Sequence, residues 1–142
     1  MKKLIILSLS IILLFSCSSD DDSSNDTNSL FNPPSWIIGT WENETVTGGT
    51  TQILRYVFSS NNVIEEVIQN GQTLTSINYS EFYNHDFSTV TETINSNSYL
   101  MEFEVTTNSQ TISSSKEFQK SSDTEIQLIQ SGITTGVTFT KQ

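Results

Sequence analysis

Strict alternation of apolar and polar residues is the feature that most limits what this chain can become. In Tyr99-Leu100-Met101-Glu102-Phe103-Glu104-Val105-Thr106, the residues Tyr99, Met101, Phe103 and Val105 fall on one face, while Glu102, Glu104 and Thr106 fall on the other. A period of two puts successive side chains on opposite sides of an extended backbone, so the segment is a strand with one buried face. Leu54, Tyr56 and Phe58 alternate with Arg55 and Val57 in the same way. The composition agrees. Alanine is absent from the chain, and Thr, Val, Ile, Tyr and Phe fill the positions where a helical protein would carry Ala and Leu.

Further strands are expected at Thr40 to Thr47, Val63 to Ile68, Gln72 to Tyr79, Ser88 to Ile94, Thr111 to Gln119, Glu125 to Gln130 and Thr134 to Lys141. Gly48-Gly49, Ser59 to Asn62, Asn95 to Asn97, Ser121 to Asp123 and Ser131-Gly132 separate them. Asn70-Gly71 suits a type I′ turn, in which both central residues take positive φ, so a hairpin is expected there. Eight or nine short strands with tight connections favour an all-β, antiparallel up-and-down meander closed into a small barrel, because closure removes exposed edges. An immunoglobulin-like β-sandwich has similar strand spacing and is the alternative.

The chain begins differently. Lys2 and Lys3 precede an apolar run from Leu4 to Phe15, followed by Ser16 and Cys17. A membrane-spanning helix needs about 20 apolar residues, so this shorter run reads as a cleavable leader over residues 1–16. Leu14, Ser16 and Cys17 resemble the lipobox of bacterial lipoproteins. That resemblance implies that Cys17 becomes the mature N-terminus and carries a diacylglycerol thioether and an N-acyl chain. Each buried CH₂ contributes about 0.8 kcal/mol, and two or more chains hold a protein stably at a bilayer. The chain is therefore expected to be anchored to a membrane without spanning it. A lone cysteine also leaves no internal disulfide for an exported domain.

Residues 17–35 read as the lipidated cysteine and a disordered acidic tether, since Ser, Asp and Asn dominate and only Leu30 and Phe31 suit a core. As a flexible coil of roughly 18 residues, the tether has an r.m.s. span of about 23 Å. Ser19-Asp20-Asp21-Asp22 resembles the acidic surface-export signal of Bacteroidota lipoproteins, which implies an outer-membrane location with cell-surface display. A solvated spacer facing the periplasm is the alternative. All sixteen acidic residues follow Cys17, against four of the six basic ones, so the chain from Cys17 onward carries a formal charge of −12. Nucleic acid is disfavoured as a partner, and a polybasic patch for anionic lipid is excluded.

The folded domain is expected over residues 36–142, enough for one small core. It opens with Pro33-Pro34-Ser35-Trp36-Ile37-Ile38-Gly39-Thr40-Trp41, in which Gly39 lets the chain turn sharply and Trp41 points inward. Gly39-Thr40-Trp41 resembles the Gly-x-Trp motif of lipocalin-like domains, and Phe118 to Leu128 is similar to the penultimate part of small bacterial lipocalin-like lipoproteins. This chain departs from eukaryotic lipocalins: it lacks a C-terminal helix, a disulfide and an arginine near the last strand. Lys141 is the candidate to cover the Trp41 ring instead. The resemblance implies a non-catalytic domain binding a small apolar or amphipathic ligand, with Trp41, Tyr56, Phe58, Tyr99, Met101 and Phe103 facing the interior. Little spare volume exists inside a small barrel, so these side chains also suit plain filling.

Chemistry finds few candidates. His85 is the only histidine, in a loop with three aromatics, Phe82, Tyr83 and Phe87, that suit a lid over the barrel end or a recognition surface. No zinc-like spacing and no nucleophile arrangement is present, and no cofactor or metal is expected. Glu65-Glu66 and Glu102/Glu104 read as solvated strand faces. Glu92 and Lys116 share parity with apolar neighbours, so both are candidates to face inward, and to pair if they meet. A cell-envelope protein-interaction or structural module is the alternative function. An exposed aromatic patch over a solid core would favour it.

Overall fold

The computed structural model describes residues 29–130 and 132–142, so the expected leader, Cys17 and the first part of the expected tether lie outside the described residues. Nine strands follow in order: β1 Gly39–Thr47, β2 Thr50–Phe58, β3 Val63–Gln69, β4 Gln72–Asn78, β5 Ser88–Ile94, β6 Ser98–Thr107, β7 Gln110–Ser122, β8 Glu125–Gln130 and β9 Ile133–Lys141. A single helical turn, α1 Tyr79–Phe82, separates β4 from β5. The hairpin at Asn70-Gly71 forms with both residues at positive φ, 48° and 79°. Thr51 and Asn70 brace it, the Thr51 backbone N–H donating to Asn70 Oδ1 at 3.0 Å.

All nine strands lie in one antiparallel sheet of order β4-β3-β2-β1-β9-β8-β7-β6-β5. The first and last strands are therefore neighbours, joined at Trp41 opposite Lys141 and Glu42 opposite Thr140. From β3 to β7 is five strand spacings, about 24 Å in a flat sheet. Yet Lys116 on β7 binds Glu65 on β3, and Tyr56 on β2 meets Phe118 on β7 with ring centroids 4.9 Å apart. The sheet has curled until its inner face touches itself. Register shifts at Val67/Ile68, Lys120/Ser122 and Gln127/Ile129 add the local twist that curling needs.

The ladder nevertheless stops short of a closed barrel. Eight successive antiparallel pairings leave β4 and β5 pointing the same way, so a tight turn cannot join them. The chain must travel back the length of a strand first. Residues 79–87 do this along the open seam, starting at α1, which Asn78 caps, and ending where the Thr106 N–H donates to Phe87 O at 2.8 Å. Aromatic side chains fill the gap from within. Tyr83 stacks on Phe103 at 4.4 Å, Tyr79 lies 5.4 Å from Phe103, and Phe31 meets both Tyr79 and Phe103.

Phe31 moves the domain boundary. It is fully buried in the main core cluster, although a start at residue 36 is expected from composition. A strap holds it there: the Asn32 N–H donates to both carboxylate oxygens of Glu92 on β5, at 3.0 and 2.9 Å. Leu30 packs against the same cluster beside it, and burying a Phe stabilises by about 3 kcal/mol regardless of its neighbours' polarity.

Gly39 explains how the chain enters the sheet. Its φ of +131° is one that L side chains rarely adopt, and a Cβ there would meet Lys141 Cε at 3.0 Å. Just before it, Ile37 N–H donates to Pro34 O and Ile37 O accepts from Trp41 Nε1 at 2.6 Å. Lys141 then lies over the Trp41 ring, its ammonium 5.1 Å from the centroid.

Candidate functional site

Parity on the strands places Trp41, Tyr56, Phe58, Tyr99, Met101 and Phe103 on the inner face, and all six are buried in one core cluster. Ring contacts link Tyr56 to Phe58 and Phe58 to Tyr99. Phe118 meets Tyr56 at 4.9 Å and Phe58 at 5.0 Å, and Phe139 meets Tyr56 at 5.3 Å, all edge to face. Such contacts add about 0.5 to 1.5 kcal/mol each beyond area burial. At these separations the aromatic side chains occupy the interior themselves.

Two polar clusters interrupt that interior, and their membership differs from the pairing of Glu92 with Lys116 considered above. Lys116 donates to Glu65 and to Tyr56 Oη at 2.8 Å, while Tyr79 Oη also donates to Glu65. The ammonium lies 5.1 Å from the Tyr56 ring and 5.6 Å from that of Tyr79. Burial alone would push the Glu65 carboxyl up; Lys116 and the phenols outweigh it and hold it below the ordinary carboxylate range. Burial, then the neighbouring Glu65 through its charge and hydrogen bonding, raises Tyr56 and Tyr79 so that both stay neutral. Glu92 faces inward separately, accepting from Tyr99 Oη and from the Asn32 N–H. Burial and that bond raise Tyr99.

Glu65 is thus an interior residue and not part of a solvated face. The sequence holds the signal: Glu65 shares parity with buried Val63 and sits opposite Tyr56. Its neighbour Glu66 does face outward, where Arg55 joins it to Glu42 at 3.0 and 2.6 Å. Glu102 and Glu104 are exposed on β6.

The seam segment divides its aromatics. Tyr79 and Tyr83 pack inward, whereas Phe82 and Phe87 remain 58% and 49% exposed. Exposed His85 stacks on Phe87 at 4.9 Å. Beside α1 lie two clefts of about 370 and 430 Å³ that share Asn78 and Glu81. Among the described residues, no group of three or more His, Cys, Asp or Glu side chains is placed to hold a metal ion, and no helix is long and apolar enough to cross a membrane. Comparison with family models, with curated proteins and with solved structures gives no match.

Proposed function

We propose that this chain is a lipid-anchored envelope lipoprotein, held at the outer membrane through Cys17, whose β domain recognises another envelope component without transforming it. The observation that carries the reading is the division of the seam segment: Tyr79 and Tyr83 are pinned by the core, while Phe82 and Phe87 stand in solvent on the same short stretch. Exposed aromatics held by a rigid base are favourable contact residues, because little conformational freedom is lost when they bind. An apolar ligand inside the domain, the expectation drawn from the lipocalin resemblance, competes with rings that already occupy the space. Recognition through the outside of the seam has no such competitor.

Two measurements test the reading. Cys17→Ser should move the protein into the aqueous phase of a detergent extraction, and equal membrane partitioning of both forms would argue against the anchor. For recognition, the photo-crosslinker p-benzoyl-phenylalanine placed at 82 or 87 in whole cells should give a discrete adduct, with none from outward-facing position 119. Identical patterns at all three positions would remove the recognition face.

A further inference from the structure

The two clefts flanking α1 differ in chemistry and meet at shared residues. The first is lined by amides and hydroxyls, including Asn62, Asn78 and Asn84, with Leu30 as an apolar member and Glu81 at its border. The second adds the exposed ring of Phe82 to Asn78 and Glu81. They adjoin at Asn78 and Glu81, so polar groups lie on one side of these two residues and the Phe82 ring on the other.

Two of the amides, Asn62 and Asn78, are held in place. Asn62 Oδ1 accepts from the Val63 N–H at 2.8 Å and the Ser80 N–H at 3.1 Å. Asn78 Oδ1 caps α1 by accepting from the Glu81 N–H at 3.4 Å. With its oxygen committed, each amide has its NH₂ group left to offer as donor. Glu81 supplies acceptors, and its exposed carboxylate belongs to none of the domain's ion pairs among the described residues. Fixed donors beside a free acceptor suit a ligand that presents adjacent hydroxyls, each able to donate and accept. A flat apolar ring next to them suits a ligand with a carbon-bound face. Both demands are met by a pyranose.

We infer that the groove formed by Asn62, Asn78, Glu81, Asn84 and Phe82 is a saccharide-binding site, with Phe82 as the stacking platform and the amides and Glu81 as hydroxyl partners. This rests on reading the seam face as the recognition surface and names the chemical class it takes. The net charge of −12 from Cys17 onward also suits a neutral ligand better than an anionic one.

The test is saturation-transfer NMR on the mature, lipidated full chain in a zwitterionic detergent whose headgroup carries no sugar. Maltotriose, cellotriose and triacetylchitotriose are the probes. The expected result is saturable transfer to pyranose ring protons from at least one trisaccharide, weakened about tenfold in Glu81→Gln and in Phe82→Ala. Both side chains are exposed, so unchanged melting temperatures serve as the folding control. No saturable transfer from any probe, or transfer undiminished in both variants, would overturn the inference. A protein adduct from position 82 without saccharide transfer would leave the recognition face standing and overturn the saccharide.

Discussion

Lys116 on β7 and Glu65 on β3 meet across the interior of the curled sheet, joining strands that are five places apart in the ladder. Each side chain keeps less than a fifth of its surface exposed, so the pair is largely desolvated. Its partners are the two phenols, Tyr56 and Tyr79, and among the described residues Glu65 is ion-paired to Lys116 alone. Removing one member strands the other.

Lys116→Met should therefore destabilise the domain by about 2 to 4 kcal/mol, leaving a buried carboxylate with only phenols for company. The double variant Glu65→Leu/Lys116→Met should recover most of that loss, since neither charge then remains to be desolvated. Urea midpoints of the two single variants and the double variant measure the coupling. A double variant no more stable than the worse single one would contradict this account.

The same carboxylate sets an acid limit. The folded state holds Glu65 below its ordinary range, so above the unfolded value of about 4.3 its charge favours folding. As pH falls from that value toward the depressed folded one, the unfolded chain binds the extra proton and that stability is progressively lost. Urea midpoints should be level near neutrality and fall below about pH 4.5. In Glu65→Gln the part of this fall due to residue 65 should vanish, leaving a shallower slope. An unchanged slope would assign the acid sensitivity elsewhere.

Gly39→Ala tests the entry to β1. The new methyl meets Lys141 Cε at 3.0 Å in a backbone conformation that disfavours side chains, so a loss of about 1 to 3 kcal/mol is expected. Lys141 must shift off the Trp41 ring to make room. Near-ultraviolet circular dichroism of the indole should change alongside the melting temperature. Lys141→Ala, which removes the Cε that the new methyl meets, should restore part of the lost stability.

Phe31→Ala should cost about 3 to 4 kcal/mol, as for a large core side chain cut to a methyl. Beginning the chain at Trp36 should cost at least as much, because Asn32 and its bond to Glu92 leave as well. Comparing thermal unfolding of chains that start at Ser29 and at Trp36 checks this. Equal midpoints would return Phe31 to the tether.

Much of the fold was legible because alternation is local. Tyr99 to Val105 and Leu54 to Phe58 announce their inward faces within a few residues, and Asn70-Gly71 announces its turn. What escaped depends on distance or on context. Glu65 stands beside Glu66, and a pair of like charges reads as surface unless parity with Val63 is followed through. Leu30 and Phe31 suit a core by composition, but they stand in a polar stretch with no period to assign them to the domain. The missing fourth-to-fifth strand pairing follows from counting strands around the whole sheet, which no local window does. The groove beside α1 was equally hidden, since Asn62, Asn78 and Asn84 are ordinary turn residues until the curled sheet brings them together.

The strand order has a consequence for how the chain could be cut. Every neighbour in the sheet is also a neighbour in sequence except at one joint, where the domain's two ends lie side by side as β1 and β9. Linking those ends and nicking the backbone within residues 79–87 would yield a polypeptide whose strands run along the sheet in simple succession, with no pairing interrupted. Topologically the domain is a plain nine-stave ribbon, and nature has chosen to begin reading it from the middle.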